Sequence, residues 1–68
     1  MQKAIEKINE MAAREAMARD ATAEALKATN DPVAIAGLVV KYGAHCAAVG
    51  AFVTALGAIE EDARDGSA

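Results

Sequence analysis

Residues 33–59 form a run of 27 positions in which only Lys41, His45 and Thr54 are clearly polar. Whatever else this chain does, it must hide that run. The run also contains four glycines, and three of them, Gly43, Gly50 and Gly57, stand seven residues apart. Val is frequent in "GLVVKY" and "VGAFV", which raises the alternative of two short buried strands. No Asn, Asp or Pro interrupts the stretch to turn such strands. A single long helix, about 1.5 Å per residue, is the reading that remains. Each glycine costs such a helix about 1 kcal/mol relative to alanine when exposed, so close packing must offset them.

The residues ahead of the run set its partner. No Pro or Gly occurs from Met1 to Asp31, and alanine, the strongest helix former, is abundant. Residues 2–29 are therefore predicted to form a first helix. Its larger apolar residues are few. Ile5, Ile8, Ala12, Ala23 and Leu26 fall near one stripe, which Glu15 and Arg19 interrupt midway. The spacings Glu10–Arg14 and Glu15–Arg19 suit intrahelical ion pairs. Then "TNDPVA" breaks the chain. Asn30 is a candidate left-handed C′ residue, Asp31 a candidate N-cap, and Pro32 a first helical residue behind it. The residue before a proline is pushed out of the helical region, so the break belongs at Asp31. The second helix is expected over 32–64, with 63–68 a frayed polar tail. A connection this short makes the helices antiparallel neighbours. The expected fold is all-α: one two-helix hairpin domain spanning 1–68.

The second helix has more apolar surface than the first can cover. Gly43, Ala47, Gly50, Thr54 and Gly57 step by four, three, four and three, a heptad seam of small residues that lets backbones approach closely. Beside it, Val39, Tyr42, Cys46, Val49, Val53 and Leu56 follow the same alternation with larger side chains. A third row, Leu38, His45, Phe52 and Ile59, repeats at strict seven-residue steps. The two seams together with Phe52 are the expected oligomer interface, and the simplest assembly is a homodimeric four-helix bundle with second helices at its centre. The alternative is a bilayer: residues 33–59 are long enough to span one. Lys3, Lys7, Arg14, Arg19 and Lys27 precede the run and Arg64 alone follows it, which would leave the N-terminus in the cytoplasm at an inner membrane. Against that reading stand Lys41 and His45 inside the run, its high content of Ala and Gly, and the lack of tryptophan. Charges scattered over residues 1–31 leave no room for a secretory signal, and a cytoplasmic location is expected.

Composition excludes several functions. Cys46 is the sole cysteine and His45 the sole histidine, so neither an intrachain disulfide nor a four-ligand zinc site is available. No cofactor or metal is expected. His45 and Cys46 are sequence neighbours, about 100° apart on a helix, and do not face each other as a catalytic dyad must. Cys46 reads as a small buried hydrophobe. The glycines lie inside a helix, not between strand and helix, so they make no phosphate-binding loop. An enzyme is not expected. The net charge is −3, and Lys3, Lys7 and Arg14 share their stripe with Glu10, a poor footprint for nucleic acid; an RNA-binding hairpin dimer or an assembly subunit ranks third. Lys41 and His45, spaced i and i+4, share a face. They mark a polar opening that a carboxylate of the first helix or of another subunit can fill, a candidate pH-sensitive switch. The expected function is a non-catalytic, self-associating hairpin that binds another protein: a small regulator, inhibitor or adaptor of the kind phages and other mobile elements encode.

Overall fold

In the computed structural model, residues 2–67 are described, side chains of residues 63 and 65–67 excepted. They form two helices, α1 over Gln2–Ala28 and α2 over Pro32–Ser67, packed as a hairpin. At 36 residues, α2 is about 54 Å long, which sets the 55 Å long dimension of the molecule; the other two are 15 and 12 Å. With 27 residues, α1 ends about nine residues short of it at the end remote from the turn.

The turn is built by side chains. Asp31 caps α2: its carboxylate Oδ1 accepts the Val33 N–H at 3.4 Å, and its carbonyl accepts the Ile35 N–H at 2.9 Å. Pro32 takes the first helical position, where a missing N–H costs nothing. The Thr29 hydroxyl accepts the Asp31 N–H at 3.3 Å. Asn30 does not take the left-handed conformation expected of it, since no described non-glycine residue has positive φ. With Thr29 holding the Asp31 amide, the reversal needs no left-handed residue.

At its far end α2 overruns the predicted boundary. The sequence places the end of the second helix near residue 64; the helix continues through Gly66 to Ser67. Residues 60–64 are good helix formers apart from Asp62, and Arg64 lies in the last turn, where a cation complements the helix dipole. One glycine does not outweigh that.

The helices meet along heptad rows. On α1 the half-covered positions are Ile5, Ile8, Ala12, Glu15, Arg19 and Leu26, with the buried Thr22 among them. Their alternating steps of three and four make one stripe, on which Ala16, Ala18 and Ala23 also border. The facing row of α2 is Ile35, Leu38, Tyr42, His45, Val49, Phe52, Leu56 and Ile59, half-covered throughout except for the more exposed Tyr42. Thr22 is the only described residue that is buried, and its hydroxyl is satisfied by donating to the Ala18 carbonyl at 2.8 Å. No described hydrophobic residue is buried. Full burial of an aliphatic or aromatic side chain is worth about 1.5–3 kcal/mol, and here each receives only part of that.

Candidate functional site: the contact faces of the second helix

The polar residues that interrupt the α1 stripe are matched across the hairpin. Glu15 Oε2 and His45 Nδ1 lie 2.6 Å apart, with both side chains about one-third exposed. This contact joins residues 30 positions apart in the chain and sets the register. One heptad toward the open end, the same register brings Ile8 level with Phe52; one heptad toward the turn, it brings Thr22 level with Leu38. Arg19 comes level with Tyr42 and turns to Asp20, at 3.1 Å. The expected Glu15–Arg19 pair is therefore not made, because Glu15 is taken by His45. Glu10 approaches Lys7 at 4.0 Å and not Arg14, and Lys27 pairs with Glu24 at 3.3 Å. These last two pairs are exposed and contribute little.

Lys41 and His45 thus separate. His45 finds its carboxylate within the hairpin, whereas Lys41 is exposed and makes no ion pair among the described residues. Near the pair, Tyr42 has its pKa raised above the usual 10.0. The chief cause is its contact with the Cys46 side chain, by hydrogen bond and then by charge, with burial and Asp20 adding and Arg19 opposing.

The structure divides the residues grouped by sequence as an oligomer interface. Val49, Phe52 and Leu56 are half-covered on the row that faces α1, and Tyr42 belongs to the same row. Their coverage comes from the hairpin's own contact with α1, and each keeps part of its surface exposed. Cys46 is half-covered at the border. Val39, Gly43, Ala47, Gly50, Val53, Thr54 and Gly57 are exposed. At about 100° per residue, the glycine row lies roughly 160° around α2 from the row that faces α1. A Cβ built on Gly37, Gly43, Gly50 or Gly57 meets nothing within 4 Å. Val39 and Val53 flank this trough, and Val33 and Val40 lie on its extension toward the turn, at 54, 59, 81 and 73% exposed respectively. The sequence reasoning did not single out Val33 or Val40, although Val40 continues the glycine row by one further step of three.

Elsewhere little chemistry is assembled. A shallow open depression on α1 is lined by Lys3, Glu6, Lys7 and Glu10, alternating in sign. Among the described residues no three of His, Cys, Asp and Glu gather as metal ligands would. The fold defines the class, a two-helix antiparallel hairpin. No protein-family model matches the chain, and neither the curated proteins nor the solved structures contain a significant match.

Proposed function

We propose that this chain is a non-catalytic protein that works by association, with two hairpins combining into a four-helix bundle that presents its outer helices to another protein. The observation that carries this reading is the absence of any buried hydrophobic residue among those described, in a chain that is 54% hydrophobic. The surface area supports this reading. A compact monomer of this chain's 6.9 kDa has an accessible surface of about 4000 Å². The chain exposes 4926 Å², a surplus of about 900 Å², and a standard protein interface covers about 800 Å² on each partner. An elongated two-helix layer lacks the second layer that a domain needs, and another copy supplies it.

A second reading rests on α2 itself. Pro32–Asp62 is long and apolar enough to cross a membrane, with a window of mean hydropathy 1.5. The hairpin geometry favours the water-soluble reading over it. Ten charged side chains of α1 run beside that segment, and the Glu15–His45 contact sits near its middle. Charged groups at bilayer depth cost about 2.5–3.5 kcal/mol each. A cytoplasmic location follows as part of the same proposal. Within it, the two polar residues grouped by sequence part: His45 meets Glu15 inside the hairpin, and Lys41 stays exposed on the outer surface. Expression without detergent followed by sedimentation velocity at micromolar concentration tests the proposal. A helical species of twice the chain mass is expected. A well-folded single copy, or a chain that stays in solution only with detergent, overturns it.

A further inference from the structure

The self-association proposed above leaves open which face is shared and in which direction the copies run. The exposed row of α2 carries information on both. Extended by the same steps of three and four in each direction, the glycine row reads Ala36, Val40, Gly43, Ala47, Gly50, Thr54, Gly57 and Glu61, all exposed. It consists of two interleaved sets. One set is Ala36, Gly43, Gly50 and Gly57. The other is Val40, Ala47, Thr54 and Glu61. In a two-helix seam, parallel chains pair like positions with like, whereas antiparallel chains pair each set with the other.

The consequences differ sharply. A parallel pair would stack Val40 on its own copy and Gly50 and Gly57 on theirs. Layers of two side chains, Val40, Ala47 and Thr54 each on its own copy, would alternate with layers of none at Gly43, Gly50 and Gly57. The first hold the helices apart, and the second then become voids, each costing stability. It would also place Glu61 against Glu61, beside Glu60 and Asp62 of both copies. An antiparallel pair places Val40 over Gly57, Ala47 over Gly50 and Thr54 over Gly43, on both sides of the symmetry axis. Every one of those layers then holds one glycine and one larger residue. Spacing is uniform, and closer than the roughly 8–10 Å usual between helices. The acidic run 60–62 of each copy comes level with residues 35–37 of the other. That places it near the N-terminal end of a helix, the positive end of its dipole, and away from its own copy.

We propose that the partner seated on this face is a second copy of the chain, running antiparallel about a two-fold axis that passes between Ala48 and Val49, with Val40 of each copy seated over Gly57 of the other. Three observations meet in this assignment: the size alternation along the row, the charge at its acidic end, and a surface surplus of about one standard interface half. It rests on the self-association reading and specifies its geometry.

Single-cysteine chains test it, in a Cys46→Ala background so that each carries one thiol. Cβ atoms at Gly57 meet nothing in the hairpin and Val40 is exposed, so neither Val40→Cys nor Gly57→Cys disturbs the fold of one copy. In the proposed dimer residues 40 and 57 of opposite copies adjoin. Two residues 57 stand 17 positions apart along the axis, about 26 Å, far beyond the roughly 7 Å that a disulfide tolerates between Cα atoms. Oxidation of an equimolar mixture is expected to give the mixed 40–57 disulfide as the main covalent product, with little of either homodisulfide. Homodisulfides as the main product would establish a parallel pair and overturn the assignment. A species of dimer mass with no crosslink of any kind would place the contact on another face and overturn it too, leaving self-association standing. A single-copy mass for the parent chain would remove both. Gly43→Cys with Thr54→Cys provides an independent pair with the same expectation, should either first variant lose helicity.

Discussion

Replacing Gly50 with leucine separates the isolated hairpin from the associated one, because the two predict opposite signs. In the single hairpin a side chain at position 50 meets nothing within 4 Å. Removing a helical glycine in favour of a good helix former gains about 0.7–1 kcal/mol. Gly50→Leu is therefore expected to stabilise a lone copy. At a close helix–helix seam the same side chain has nowhere to go. Overpacking costs about 1–3 kcal/mol per site, and a symmetric dimer contains the site twice. The helix-propensity gain is common to free and associated copies and cancels in the association constant. Association should weaken by about 2–6 kcal/mol, which is at least about thirty-fold at 1.4 kcal/mol per factor of ten. Sedimentation equilibrium reads the dissociation constant, and circular dichroism at concentrations below it reads helix content and melting of the single copy. The expected result is a more helical, more stable chain that no longer pairs at micromolar concentration. If Gly50→Leu paired as tightly as the parent and melted higher at every concentration, the glycine face would be shown to face solvent, and the packing argument would be wrong.

Three further outcomes follow from the hairpin itself. A double-mutant cycle of Glu15→Gln and His45→Gln, read by urea denaturation, is expected to give a coupling of about 0.5–1.5 kcal/mol, since the contact is charge-assisted but a third exposed; a coupling of zero would remove it as a link between the helices. Tyr42, the single tyrosine, is expected to ionise above its usual 10.0 in an ultraviolet titration, and Cys46→Ala to bring it back toward that value. Because its folded pKa is raised, the neutral phenol's stabilisation is fully present below the unfolded value and lost as pH climbs through the folded one, so the melting temperature should fall at strongly alkaline pH in the parent and less in the variant. Asp31→Ala removes the cap of α2 and should cost about 1 kcal/mol, whereas Asp31→Asn, which keeps an acceptor, should cost much less.

What was legible in the sequence is what short-range chemistry dictates. An alanine-rich stretch free of Gly and Pro favours helix from its own residues, and an Asp–Pro pair ends one helix and caps the next. Those signals lie within a few residues of their effects, and the structure places both helices and the cap accordingly. Thr29 was missed because its role depends on the turn conformation, and the end of α2 was misjudged because one glycine is a weak stop. The direction in which α2 faces was a different kind of question. A helix apolar on nearly every side has no periodicity to orient it. Three rows competed on the sequence alone, and they mixed residues of both faces. Only the meeting with α1 chose between them. That helix has one usable stripe, broken by Glu15 and Arg19, and the break must fall where α2 has a polar group to meet it. His45, 30 residues away, is that group. Seating it against Glu15 turns Leu38, Val49, Phe52 and Leu56 inward and leaves the glycine row outward. The sequence by itself thus determined the two helices and the reversal between them, because those are local; the tertiary structure alone decided which face is spent inside the chain and which is left for a neighbour, because that choice depends on matching one buried-edge carboxylate to an imidazole across the fold.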